Sequence, residues 1–417
     1  DDGVMPQTLE AIAHVQAALR WASRHGVPVV PRGAGTGLAG GAIGEHGELV
    51  VSTVRMNRIL EISPADELAV VEAGVINADL NVALAPHGLW YAPAPASRAI
   101  STIGGNIATN AGGLMCVKYG VTREAVLGLK LVLADGRLLE LGHRTVKGVT
   151  GYDLTALVIG SEGTLGIVVE ATLRLRPLTR GEVVTVSASF PDVESAARAS
   201  AAITASGARP AALELLDASA TEAIGEYLGL ALEGTQLLVQ TDGASAQDEA
   251  DAVAAIVAQH GGIAQRAADA AEGERLFAIR RAFHPAMERQ GTVLIEDVAV
   301  PRTALPAMFA AIGEIEERFG IRIPTVAHAG DGNLHPNFVI EGGGAGHLDV
   351  PEHVWAAADE LFRACLRLGG TLTGEHGVGT LKRRWLREEL GDDGFELQRR
   401  IKAVFDPAGI MNPGKVF

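Results

Sequence analysis

Apolar positions along this chain follow two periods, and the change from one to the other divides it. Residues 8–25 place Leu9, Ile12, Ala13, Val15, Ala18, Leu19 and Ala22 on one helical stripe, which Gly26 stops. Short strands follow at 27–30, 49–53 and 68–73, with a helix over 76–87 stopped by Gly88. A strand at 127–134 closes in an Asp135-Gly136 turn. The most regular alternation is at 167–176, where Ile167, Val169, Ala171, Leu173 and Leu175 interleave with Val168, Glu170, Thr172, Arg174 and Arg176, and Pro177 ends the strand. Composition shifts at 177–181. Beyond it the pattern predicts strand 183–190, helix 192–206, strand 211–216, helix 218–228, strand 236–241 and helix 245–260. Helix 272–288, strand 293–300, helix 303–319 and strand 321–329 complete a second α+β domain. Residues 182–270 carry no legible chemistry and read as scaffold.

Three glycine-rich stretches interrupt the first half. In Pro31-Arg32-Gly33-Ala34-Gly35-Thr36-Gly37-Leu38-Ala39-Gly40-Gly41, glycines sit where backbone must turn or approach something closely. Successive N–H groups in such a loop form a nest for an anion such as phosphate. Gly35-Thr36-Gly37-Leu38-Ala39-Gly40 fits G-x-G-x-x-G formally, but a dinucleotide-binding Rossmann turn needs a helix next. Here Glu45-His46-Gly47 reads as a turn into the following strand, so that reading is rejected. A floppy surface loop is the plain alternative. The second stretch, 92–113, shows little sustained periodicity and is dense in small polar residues. Loops that long in a compact domain are usually functional or disordered. Ser101, Thr102, Asn106, Thr109 and Asn110 offer hydrogen bonds to a polar ligand. The third stretch is Gly160-Ser161-Glu162-Gly163-Thr164-Leu165-Gly166. All three can converge on one large cofactor.

Composition narrows the partners. At 417 residues, with 47 % hydrophobic and 20 % charged, the chain builds two or three cored domains rather than a disordered polymer. The 51 glycines in 417 residues, about 12 % against an average near 7 %, fall in loops, with no repeat period. A net charge of −15 argues against nucleic acid or an anionic membrane as partner. An acidic substrate would then need local cations or a metal. Cys116 and Cys365 form no disulfide framework, which fits a reducing, cytoplasmic compartment. No apolar run reaches the length of a membrane span. The start, Asp1-Asp2-Gly3-Val4, has neither the basic nor the apolar part of a secretory signal. Peripheral attachment at the inner face of a membrane stays open.

Val326-Ala327-His328-Ala329-Gly330-Asp331-Gly332-Asn333-Leu334-His335-Pro336-Asn337 reads as a hairpin. With a loop at 330–333, His328 faces His335 on one side of the sheet, and Asn337 follows on the same side. Two imidazoles so placed can share a divalent ion; two ordinary sheet histidines are the alternative. In Thr373-Gly374-Glu375-His376-Gly377-Val378-Gly379, Glu375 can complete a two-His, one-carboxylate site, and His376 is free for proton transfer. A polar turn ahead of a helix near Leu381 is the alternative there. Arg280 is a candidate carboxylate clamp, although most such arginines lie on surfaces.

Together these motifs, with Lys118-Tyr119-Gly120 and Asn412-Pro413-Gly414-Lys415, resemble the FAD-linked oxidases of the vanillyl-alcohol-oxidase fold. The branch is that of the glycolate oxidase flavoprotein subunit, D-lactate dehydrogenase and D-2-hydroxyglutarate dehydrogenase. The resemblance implies a two-domain α+β flavoprotein: an FAD-binding domain at 1–180, a cap domain with an antiparallel sheet at 181–370, and a C-terminal helical segment at 371–417 returning to the flavin. It implies non-covalent FAD held by Arg32, Gly33, Ala34, Gly35, Thr36, Gly37, Leu38, Pro95, Ser101, Thr102, Gly104, Gly105, Asn106, Thr109, Asn110, Glu162, Gly166, Ile167 and Asn412. It further implies a zinc or manganese ion on His328, His335 and Glu375. Substrate would bind through Arg280 and Asn337, with His376 as base. The expected reaction is oxidation of a small D-2-hydroxy acid, D-lactate or glycolate, to the 2-oxo acid.

Two departures from the family bear on this. Relatives carry a further helix and strand before the position of Val4. The cation with which the D-2-hydroxyglutarate enzymes grip a distal carboxylate falls near Ile295, which favours a small monocarboxylate. Electron acceptors consistent with the resemblance are an iron–sulfur subunit, an electron-transfer flavoprotein or a cytochrome, and a homodimer is equally open. The rival readings are D-2-hydroxyglutarate dehydrogenase, a metal-dependent hydrolase with structural glycine loops, a non-catalytic flavoprotein subunit, and a non-redox alkyl transferase.

Overall fold

A computed structural model describes residues 7–8, 11–340 and 350–417. The chain divides into two compact units. The first comprises Asp1–Gly113, Gly120–Leu178 and Glu375–Phe417; the second comprises Leu114–Tyr119 and Thr179–Gly374.

The first unit holds two sheets. Gln7–Thr8, Leu49–Ser52 and Val29–Arg32 lie side by side in a parallel sheet, so the first glycine stretch runs from strand to parallel strand without a helix between. Helix Ile12–His25 contributes Val15, Leu19 and Ala22 to the core that also contains Val29 and Val51, and Gly26 ends it at φ 64°. The helix begins later than its apolar stripe suggests, because Gln7–Thr8 is strand; Leu9 lies outside the described residues. The second sheet is antiparallel, in the order Ile59–Ser63, Leu68–Glu72, Ile167–Arg174, Val126–Val132, Leu138–Gly142. Ile167–Arg174 buries every second residue, as its alternation requires.

One expectation fails here: 101–113 is not a continuous loop. Ile103–Thr109 is a helix, capped by Thr102 Oγ1 accepting from the Gly105 N–H. Two glycines near its start lower its propensity and hide it. Gly104 is there for space, since a Cβ would lie 2.7 Å from the Ala73 Cβ.

The second unit is built on an antiparallel sheet. Its order is Ile263–Arg266, Glu182–Phe190, Thr235–Gly243, Ala212–Leu216, Thr325–His328, Asn333–Ile340 and Thr292–Ile295, with Val298–Ala299 also paired to Asn333–Ile340. Helices Val193–Ala205, Leu305–Phe319 and Glu352–Arg367 pack in sequence, while Ala218–Leu228 packs on Phe283–Gln290. The strand at 263–266 has no alternation legible in the sequence. The helix expected at 272–288 is two, Ala270–Arg281 and Phe283–Gln290. The strand expected at 293–300 is likewise split, at Glu296 and Asp297.

The histidine hairpin has a register other than the expected one. His328 pairs with Asn333, and His335 with Val326. The loop therefore lies at 329–332. Gly332 takes its last place at φ 81°, where a Cβ would fall 2.1 Å from the Val300 carbonyl oxygen. Moving the loop by one residue shifts each pairing by two in total, which preserves the face. His328 and His335 thus remain on one side as diagonal neighbours.

Candidate functional site

Within the first unit the three glycine stretches meet. A Cβ on Gly33 would lie 2.3 Å from Thr102 Oγ1, one on Gly163 2.9 Å from Pro31 Cγ, and one on Gly41 3.2 Å from Glu162 Oε2. None of the backbone N–H groups at 33–39 donates to a protein acceptor among the described residues. Around Gly37 the space is open: nothing lies within 4 Å of an added Cβ. Donors facing space, on glycine-opened backbone turned at Gly35 (φ 75°), form a cradle for an anion. The Arg32 guanidinium lies over Gly35. The residues present fit a pyrophosphate-bearing cofactor.

The polar side chains of the second stretch serve the protein itself. Asn106 donates to Ser101 Oγ and accepts from Asn77, which also donates to the Pro93 carbonyl. Thr109 Oγ1 donates to the Gly105 carbonyl, and Asn110 Oδ1 accepts from the Arg123 N–H. The Pro95 carbonyl accepts from the Arg98 N–H. Sequence reasoning offered these polar groups to a ligand; in the structure the side chains of Ser101, Thr102, Asn106, Thr109 and Asn110 each have a protein partner. Gly166 is tight for packing, with a Cβ 2.7 Å from the Val132 carbonyl, and Ile167 is core.

Glu162 turns out to be a bracket. It accepts from the N–H groups of Val378 at 2.7 Å and Gly379 at 2.8 Å. Burial pushes its carboxyl above the usual range, against those two donors and the nearby Lys382. Asn412 completes the stitch, donating to the carbonyls of Gly41 at 2.9 Å and Glu162 at 2.8 Å. The bend carrying half-buried Glu375 and His376 is therefore tied to two glycine stretches. Glu375 also borders Gly112, whose Cβ would lie 3.2 Å from Oε1.

Within the second unit, adjacent strands carry the two histidines. Their rings are 5.1 Å apart and nearly perpendicular. Both are buried. His328 Nδ1 lies 2.6 Å from Glu214 Oε1, and Glu214 Oε2 accepts from Arg280 Nε at 2.9 Å. Glu214 has no exposure at all. Asp297, equally buried, accepts from Asn333 Nδ2, Thr373 Oγ1 and the Gly374 N–H, and lies 3.8 Å from His335 Nδ1. Asn337 is buried on the histidine side of its strand and donates to the His335 carbonyl. Glu214 and Asp297 escaped the sequence reading. The signal was a carboxylate inside otherwise apolar Ala-Leu-Glu-Leu-Leu, and an Glu-Asp pair interrupting a strand. Among the described residues, no helix is long and apolar enough to cross a membrane.

Comparison with known proteins agrees with this layout. Residues 7–142 match the FAD binding domain, and residues 180–416 match the C-terminal domain of FAD linked oxidases. The chain is 40 % identical to the glycolate oxidase subunit GlcD of Bacillus subtilis, over all of this chain and 89 % of that protein. It is 37 % identical to the D-lactate dehydrogenase of Archaeoglobus fulgidus, covering 96 % and 88 % of the two chains. It is 37 % identical to the D-2-hydroxyglutarate dehydrogenase of Xanthomonas citri pv. viticola, covering 98 % and 88 %. The fold is shared with p-cresol methylhydroxylase, at TM-score 0.76 and 16 % identity over 98 % of this chain and 88 % of that one. It is shared also with the 4-ethylphenol oxidase of Gulosibacter chungangensis, at TM-score 0.75 and 18 % identity over 100 % and 90 %. Two matching domain families across nearly the whole length, with relatives of 37–40 % identity over almost all of it, make this chain a member of the FAD-linked oxidases, and so a flavin-dependent oxidoreductase.

Proposed function

We propose that this oxidoreductase converts a small 2-hydroxy acid, glycolate or D-lactate, to the 2-oxo acid. The observation that carries the reading is that relatives aligned end to end are named for glycolate, D-lactate and D-2-hydroxyglutarate, which share one 2-hydroxycarboxylate group. We assign a divalent ion, zinc or manganese, to His328, His335 and Glu375. Glu375 is one peptide bond beyond Gly374, whose N–H donates to Asp297, and Asp297 lies 3.8 Å from His335 Nδ1. Two imidazoles and a carboxylate suit such an ion and leave coordination positions open. When bound, FAD supplies a two-electron acceptor for the substrate hydride and the ion supplies Lewis acidity toward the 2-hydroxycarboxylate.

The protein's own groups do the rest. His376, on the bend that Glu162 pins, takes the hydroxyl proton at an imidazole nitrogen. Asn337, on the histidine side of its strand, orients the carboxylate. Its cross-strand partner is Ile295. An apolar residue there offers nothing to a second, distal carboxylate, which favours glycolate or D-lactate over D-2-hydroxyglutarate.

The test is anaerobic flavin reduction with glycolate, D-lactate, L-lactate and D-2-hydroxyglutarate, before and after complete chelation. D-Lactate or glycolate should bleach the flavin fastest, and chelation should stop it. Fastest reduction by D-2-hydroxyglutarate would move the assignment to the larger acid. Bleaching that survives chelation would remove the ion from the reaction.

A further inference from the structure

Glu214 is the one charged side chain in Ala212–Leu216, and all five residues of that strand are buried. A carboxylate in such a place needs partners for both of its oxygens. Both oxygens here are engaged: Oε1 with His328 Nδ1 at 2.6 Å, Oε2 with Arg280 Nε at 2.9 Å. Glu214 and His328 are direct cross-strand partners, so sheet register itself sets their contact. Arg280 comes from helix Ala270–Arg281 and is buried with only 10 % of its side chain exposed.

An imidazole can ligate a metal through one nitrogen while the other carries the proton, and the group facing that second nitrogen decides which is which. A carboxylate accepting from Nδ1–H leaves the Nε2 lone pair available. We infer that Glu214 is a positioning residue that fixes the tautomer and ring angle of His328 for metal binding. Arg280 is its counter-charge, holding Oε2 so that Oε1 faces His328, rather than a clamp for the substrate carboxylate. This inference rests on the metal assignment above. Asp297 does not duplicate the role: at 3.8 Å from His335 Nδ1 it spends its oxygens on Asn333, Thr373 and Gly374 instead.

The experiment measures Zn²⁺ and Mn²⁺ affinity of the purified flavoprotein by competition with a chromogenic chelator, alongside flavin content and thermal midpoint. Glu214→Gln keeps an acceptor but can also present an N–H to Nδ1 and hold the wrong tautomer. It should retain FAD yet bind metal about 10–100-fold more weakly, with turnover recovered by excess metal. Parent-like metal affinity in that variant overturns the inference. His328→Ala is the control for the underlying reading: unchanged affinity there removes the metal site itself, whereas loss there with normal affinity in Glu214→Gln sinks only the positioning role. Arg280→Lys supplies a second line should the glutamine variant not fold. Weakened metal binding with KM unchanged at saturating metal supports the counter-charge role. A raised KM with normal metal affinity returns Arg280 to the substrate.

Discussion

The glycine stretch and the histidine strands offer groups to a charged partner in opposite ways. At 33–39 the groups on offer are main-chain N–H donors, and side chains matter through their absence. On Thr325–His328 and Asn333–Ile340 they are side chains whose aim depends on register and on a buried carboxylate behind them. A backbone site tolerates changes of residue as long as the loop keeps its shape. A side-chain site depends instead on strand parity and on the group supporting each side chain.

His376, the proposed proton acceptor, gives the largest expected break between the two. His376→Ala should leave FAD bound and the metal affinity unaltered while slowing flavin reduction by about 10²–10⁴-fold. Stopped-flow bleaching at saturating substrate measures it, and a rate within a few-fold of the parent would take His376 out of the reaction. Next come two substitutions within the cradle. Gly33→Ala drives a methyl against Thr102 Oγ1 and so against the cap of Ile103–Thr109. Overpacking of this kind costs about 1–3 kcal/mol, which expressed at the loop is about tenfold or more in FAD affinity. Gly37→Ala meets no protein atom, but its methyl enters the open space that the cradle offers the cofactor, so it should weaken FAD binding at an unchanged thermal midpoint. Fluorimetric FAD titration checks both variants, and parent-like affinity in Gly37→Ala would place the cofactor away from that residue.

The smallest effect lies in the scaffold of the histidine strands. Asp217 caps Ala218–Leu228 and also accepts from the Thr325 N–H at 2.8 Å. Burial pushes its carboxyl up to about 7 from an ordinary 3.8, with Glu316 adding to the rise against three hydrogen-bond donors. A folded value above the unfolded one means the native state binds this proton more tightly. Its stabilising contribution is complete below the unfolded value and is lost as pH rises through about 7. Asp217→Asn should therefore be less stable than the parent at low pH but flatter between pH 4 and 7. Parallel denaturation curves across that window would assign the parent's slope to other groups.

What the sequence disclosed follows from the same contrast. Ile167–Arg174 was legible because one face is core and the other is not, so burial writes itself as alternation. The glycine stretches were legible because open or crowded backbone excludes side chains. The helix at Ile103–Thr109 was not, since its capping and its small residues satisfy neighbours that are distant in sequence, Ala73 and Asn77 among them. Glu214 was hidden for a related reason: a strand buried on both sides gives no period against which a carboxylate stands out. His328 lies 114 positions away, and only pairing brings them together. The histidine face survived a wrong register because parity is more robust than pairing.

The interleaved course of the chain has a practical consequence for anyone recombining these enzymes. Leu114–Tyr119 is counted with the second unit and Glu375–Phe417 with the first, so no single cut separates them. A chimera that exchanges the whole second unit for that of a relative needs four junctions, and the last must fall before Glu375. Crossing over later would graft a foreign 377–379 bend onto the native Glu162, and the graft would arrive with its rivet hole in the wrong place.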